Sequence, residues 1–312
     1  MDKKIDFIFD QLPFLTAIAL APLLSGLINR TKAFYAGRKG QPLFQQYYDI
    51  SKLLKKGTLY SRTTSWVFRV SPLLSLSVCL TAIMFFYPFG GVSSPVSFAG
   101  DFIFVAYLFA LSRFFVIIAA MDTGSSFEGM GASREAFFAF FAEAALFLSF
   151  IAISCFSRVP SLNTMFSAIH LSVQFFSPYM LLVAVALFIV MLAENCRVPV
   201  DDPNTHLELT MIHEVMVLDY GGPDFAFILY ASALKLWFFA SMIVTLLFPV
   251  KTGNLLIDLP LFLSGIFLVA FAIGTVESIM ARFRFEKVQR LLIFAAVLSA
   301  MSLLMISFGG GR

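Results

Sequence analysis

Apolar stretches about as long as a bilayer is thick recur eight times along this chain, at roughly 11–29, 66–88, 101–121, 135–157, 173–195, 225–249, 256–280 and 288–308. A helix needs about 20 predominantly apolar residues to cross the hydrocarbon core. Inside that core, backbone polar groups must be satisfied within the helix or in a closed barrel. The pattern predicts an all-α polytopic membrane protein, with about eight transmembrane helices and residues 1–312 forming one transmembrane domain. Composition agrees: 59% of the residues are hydrophobic and 13% charged, against about 45–50% and about 25% in a soluble domain. Pro13 and Pro22 fall in the first and shortest window, where they can kink the helix. Asp6 and Asp10 precede that window and no small-x-small cleavage site follows it, so it reads as a retained span rather than a removed signal peptide.

An even number of spans puts both termini on one side. Lys and Arg then assign the sides. Connections 1–2, 3–4, 5–6 and 7–8 hold a basic series from Arg30 and Lys32 through Lys56, Arg134 and Arg197 to Arg282 and Arg290. The opposite face has only Lys3, Lys4, Arg158, Lys251 and Arg312. By the positive-inside rule the four basic connections are expected in the cytoplasm and both termini outside. Within 29–65, Leu43, Tyr47, Ile50 and Leu54 recur at helical spacing with Lys52, Lys55 and Lys56 around the other side. This is an interfacial amphipathic helix, serving as a headgroup anchor or as a docking surface for a soluble partner.

The three cysteines, Cys79, Cys155 and Cys196, are widely separated and form no Cys-x-x-Cys pair, so an iron–sulfur or structural zinc site in this chain is not expected. Ionisable residues inside the predicted spans carry more information, because they are costly there and mark ion or proton pathways. Among them are Arg113, Glu135, Glu143, Glu194, Lys235 and Glu277. Glu143, within FAFFAEAALFLSF, must be protonated, paired or facing a polar cavity. Lys235 is placed near enough to the end of its span to snorkel. Glu194 and Arg197, three apart at a helix end, are expected to form a local ion pair.

The chain from Ala193 to Gly222, AENCRVPVDDPNTHLELTMIHEVMVLDYGG, gathers Glu194, Asp201, Asp202, Glu208, Glu214 and Asp219 with two of the three histidines. Pro199 and Pro203 break the preceding helix. Asp202 can cap a new helix with Pro203 at its first position, or Thr205 and Glu208 can form a capping box. Either way a helix is predicted from about 204 to 219, ending at Gly221-Gly222. His206 and His213 share a face but lie in no HExxH pattern, so no metal site is expected.

The pattern Ala193-Glu194-x-x-Arg197-x-Pro199-Val200-Asp201, followed by Glu208-Leu209, resembles the membrane subunit shared by respiratory complex I and group 4 membrane-bound [NiFe]-hydrogenases. So do Gly37-Arg38-Lys39-Gly40 with Asp49-x-x-Lys52-Leu53, and Gly131-Ala132-Ser133-Arg134-Glu135-Ala136. The run from Pro199 to Glu214 is similar to the formate hydrogenlyase and hydrogenase-4 branch. Val200 stands where the complex I pattern has Phe, which weakens the case for a quinone chamber.

The resemblance implies a multi-pass subunit of a bacterial or archaeal cytoplasmic membrane that anchors a soluble redox module and couples it to proton movement. It further implies hydrogenase large and small subunits and antiporter-like membrane subunits as partners besides the lipid bilayer, and no nucleic acid. The nickel–iron centre and iron–sulfur clusters would sit in those partners, with no cofactor or redox centre in this chain. Glu135, Glu143, Glu194, Glu208, Glu214 and Asp219 are then candidates for a proton pathway. Arg197, Asp201, Asp202, His206 and His213 are candidates for the coupling interface with the redox module, in the cytoplasmic loops 29–65 and 197–224. The alternatives are a quinone-chamber subunit of complex I or a secondary ion transporter. The second lacks the paired Gly/Pro-interrupted spans expected of inverted repeats.

Overall fold

The computed structural model describes residues 11–89, 94–170, 178–201, 212–248 and 254–309, all of them helix, turn or loop with no strand. The helices are α1 (Leu12–Tyr35), α2 (Gln45–Leu54), α3 (Trp66–Phe85), α4 (Asp101–Asp122), α5 (Ser126–Ser157), α6 (Leu162–His170), α7 (Pro178–Glu194), α8 (His213–Met216), α9 (Gly222–Leu247), α10 (Leu255–Ile279) and α11 (Phe285–Gly309). Seven are long and apolar enough to cross a membrane. The remaining expected span is the shorter apolar helix α7, and residues 171–177 before it lie outside the described residues.

Helix α9 is the central post. Its apolar window is 72% buried, against 22–44% for the other spans. It packs on α1, α2, α3, α7 and α10, while α11 closes against α5 and α7. A helix buried all round needs no polar face, and α9 carries one charged side chain between Phe225 and Leu247, Lys235. Large apolar side chains on the outer helices, such as Phe114, Phe140, Phe294 and Val297, face outward, as lipid-facing surfaces require.

The N-terminal ends are set locally. Pro13 sits in the first turn of α1, where its missing N–H costs nothing. Ser65 caps α3 by accepting from the Val67 N–H at 3.3 Å. Helix α2 lies along the bundle, with Gln46 Nε2 donating to the Leu229 carbonyl at 3.2 Å. At the other end of the bundle, where α4 starts beside residues 158–162, Asp101 accepts from the Ser161 hydroxyl at 2.9 Å and from the Leu162 N–H, fixing the start of α6.

Two sequence expectations need correction. The fourth span begins at Ser126, nine residues before 135, so residues 131–134 of the Gly131–Ala136 motif are helical rather than part of a connection. Hydropathy misses this start because small residues serve packing there: a Cβ on Gly131 would lie 2.8 Å from the Ile212 carbonyl oxygen, so only glycine lets α5 approach the 5–6 connection this closely. The helix expected over 204–219 is, among the described residues, only the single turn His213–Met216. Residues 202–211 lie outside the described residues, and the expected caps at Asp202 and Thr205–Glu208 lie there with them. Gly221-Gly222 opens α9 instead of closing a helix. Gly222 takes φ +56° with Pro223 at the next position, and a Cβ there would meet the Gly57 carbonyl oxygen at 2.7 Å.

Candidate functional site

Four helices contribute to one cluster of charged side chains built around a guanidinium. Arg113, midway along α4 and 9% exposed, donates from Nη1 to Glu143 at 2.7 Å and lies 3.3 Å through Nε from Glu135, both on α5. Its Nη2 grips the Glu194 carboxylate at the end of α7. The other Glu194 contact is Lys235 of α9, with Nζ 2.6 Å from Oε2. The Lys235 ammonium also lies 5.6 Å from the Phe109 ring centroid. Buried charges survive in a bilayer only when paired, and here the pairing is mutual. The group holds three carboxylates and two cations, so with all five ionised it carries a net charge of −1.

The local chain path explains why Glu194 and Arg197 do not pair with each other as expected. Helix α7 ends at Glu194, and Cys196 takes φ +51°, with the Cys196 N–H on the Ala193 carbonyl and the Arg197 N–H on the Leu192 carbonyl. This left-handed reversal swings Arg197 off the helix face. Arg197 instead approaches Glu277 of α10 at 3.5 Å, and Lys32 of α1 meets the same carboxylate at 3.0 Å. The Glu277 side chain has no exposure at all.

A third group ties the loops together. Asp201, 2% exposed, pairs with Arg282 of the 7–8 connection at 2.6 Å. Its second oxygen accepts the N–H groups of Ile212 and His213 at 3.2 and 3.0 Å. The Phe283 N–H donates to the Pro199 carbonyl at 2.9 Å. The connection is pinned at its far end by Tyr220, whose hydroxyl donates to the Phe68 carbonyl and whose ring stacks on Phe68 at 4.0 Å.

Two cavities flank the turn at 195–197. The inner one, about 90 Å³, is lined by Arg113, Glu135, Glu194 and Lys235. The outer one, about 290 Å³, is lined by Arg197, Asp201, Glu214 and Tyr220, and its rim reaches the exposed Leu218. His213 lines both. Burial pushes its imidazole below the ordinary histidine range; Glu135 and Asp201 oppose the shift and Lys235 and Arg113 add to it. Burial raises the Cys196 thiol well above its usual range, helped by Glu135 and Asp201.

Of the pathway residues read from the sequence, Glu135, Glu143 and Glu194 come together around Arg113. Glu214 lies across the turn in the outer cavity, and Asp219 stands apart, exposed before α9. Of the interface residues, Arg197, Asp201 and His213 surround the outer cavity, with Asp201 buried rather than presented outward. Glu208, Asp202 and His206 lie outside the described residues. Sequence reasoning leaves Arg113, Lys235 and Glu277 out of the site. Lys235 lies midway along α9, too deep to snorkel, and the need of three carboxylates within apolar helices for cations is the signal that points to it and to Arg113.

A bundle of membrane-crossing helices around an ionised core, roofed by folded connections, defines an all-α multi-pass membrane protein. The chain belongs to the NADH dehydrogenase family, whose profile matches residues 11–308. It is 31% identical to formate hydrogenlyase subunit 4 of Escherichia coli (strain K12) over 284 residues, covering 89% of this chain and 91% of the relative. It is 29% identical to hydrogenase-4 component C of the same organism, covering 86% and 85%. An NADH-quinone oxidoreductase subunit of Anaplasma phagocytophilum (strain HZ) is 25% identical, covering 80% and 78%. The fold matches a chain of the membrane-bound sulfane sulfur reductase, an archaeal respiratory membrane complex, with a TM-score of 0.80 over 96% of this chain and 99% of that one, at 21% identity.

Proposed function

We propose that this chain is the non-catalytic membrane anchor and proton-coupling subunit of a multisubunit membrane-bound hydrogenase, linking a soluble redox module to proton-translocating membrane subunits. The observation that carries the coupling role is the Arg113 cluster. Five ionisable groups from four helices are held at membrane depth with one negative charge in excess, so the cluster reaches neutrality by taking up one proton. The likeness to formate hydrogenlyase subunit 4 and hydrogenase-4 component C favours a hydrogenase as the complex.

In this reading the face carrying α2, the 195–221 connection and residues 280–284 is cytoplasmic, and both termini lie opposite. The connections 29–65 and 197–224 form one docking surface for the large and small hydrogenase subunits. They are already joined: the Tyr60 hydroxyl donates to Asp224 at 2.7 Å, and Gly57 abuts Gly222. The nickel–iron centre and iron–sulfur clusters belong to those subunits, and antiporter-like subunits adjoin the bundle in the membrane. Affinity purification of this chain from mild detergent is expected to bring down nickel, iron and both hydrogenase subunits. Purification of the chain with neither metal nor those subunits would refute the anchor role.

A further inference from the structure

The inner cavity at the Arg113 cluster adjoins the outer cavity of the loop face. Five residues line both: Asn195, Cys196, His213, Ile228 and Ser232. A proton that passes directly from the outer cavity to the inner one passes one of them. Ile228 carries no proton. The Asn195 amide donates to the Met191 carbonyl at 2.8 Å, and the Ser232 hydroxyl donates to the Leu229 carbonyl at 2.9 Å, so each has its proton committed to the backbone. Cys196 is a buried thiol beside carboxylates, which disfavour its ionisation. That leaves the imidazole, the side chain whose protonation changes most readily near neutral pH.

We propose that His213 is the proton-transfer residue between the loop-side cavity and the Arg113 cluster. This rests on the coupling role given above. The step balances without a co-reactant. A proton from water in the outer cavity adds to one ring nitrogen, the other nitrogen releases its proton to the Glu135 carboxylate, and the ring returns to neutral in its other tautomer. The cluster moves from −1 to zero charge.

Among the described residues, the charged groups around the ring are Arg113 from α4, Glu135 from α5, Lys235 from α9, Asp201 from the turn, and Arg197 and Glu214 on the outer side. Burial, with the cations adding to it, keeps the resting imidazole neutral, and the carboxylates oppose that shift and make its protonated form attainable. Asp201 holds the residue in place through its backbone N–H at 3.0 Å, a contact that any side-chain substitution at 213 preserves.

The test uses the intact complex in inverted membrane vesicles, reading protons moved per hydrogen formed. His213→Gln is expected to lower that ratio at least roughly tenfold, since a positioned acid–base group contributes about 10²–10⁴-fold to the rate of its proton transfer. In His213→Ala, imidazole added to the buffer is expected to restore the ratio, and substituted imidazoles of different basicity should displace its pH profile. A merely structural role would show neither effect. An undiminished ratio in either variant, or a lost ratio in the assembled complex that imidazole leaves unrestored, overturns the proposal. Should His213→Ala not assemble, the ratio and pH profile of His213→Gln decide alone: a wild-type ratio and profile there overturn it. Glu194→Gln separates this from the parent reading. If that variant uncouples while the His213 variants do not, only the role of His213 falls; if neither uncouples, the coupling role itself falls.

Discussion

Arg113→Gln is expected to be the most damaging single change in the bundle. Among the described residues Arg113 is the one cation that touches Glu135, Glu143 and Glu194 together, and its removal leaves three carboxylates to Lys235 and a net charge of −2. Removing one partner of a buried ion pair costs roughly 3–5 kcal/mol, because the remaining charge stays buried without compensation. Here three partners are stripped at once. The midpoint of denaturation of the purified complex should fall sharply, and the amount of assembled complex with it. Arg113→Gln combined with Glu194→Gln should recover part of the loss, since the net charge returns to −1. The two changes share a contact and should be non-additive by about 0.5–3 kcal/mol. Strictly additive effects would mean that the cluster is not an electrostatic unit.

The second large effect is expected at Asp201. One carboxylate joins the 7–8 connection through Arg282 and the start of α8 through two backbone N–H groups. Asp201→Ala breaks the ion pair and leaves both N–H groups without their acceptor, at about 1–3 kcal/mol for each buried group. Asp201→Asn keeps an oxygen for those N–H groups and loses only the charge, so its cost should be distinctly smaller. Limited proteolysis of the 195–221 connection should follow the order Ala, Asn, wild type. Equal resistance in all three would show that the carboxylate is not what holds the connection down.

The spans are legible because hydropathy at membrane length reports the transfer of a helix into lipid, which no tertiary contact overrides. Boundaries fail where packing, not transfer, sets them. At 126–134 the run SFEGMGASR looks like a connection, yet Gly131 is small so that α5 can lie against Ile212. At 204–219 helical spacing and caps suggest a continuous helix, whereas the turn at Val217–Tyr220 is imposed by Tyr220 stacking on Phe68 of α3, far away in sequence. In the site, the acids stand out against an apolar background, but their partners do not. Glu194 and Arg197 are neighbours in sequence, and their pairing follows only if helical spacing extends one turn beyond the actual helix end. The positive φ of Cys196 sends the two to different partners, a reversal with no glycine to announce it. Arg113 and Lys235 each come from a different helix, and only the folded bundle brings them to one carboxylate.

The central claim is that the excess negative charge of the Arg113 cluster draws the coupled proton. Glu194→Gln tests it most directly. The amide keeps the shape and an acceptor oxygen for Arg113 and Lys235, and it leaves two cations facing two carboxylates, so the cluster is neutral without a proton. Protons moved per hydrogen formed, measured in vesicles holding the assembled complex, are expected to fall severalfold from the wild-type ratio. A wild-type ratio in Glu194→Gln, with the complex fully assembled, would contradict the claim.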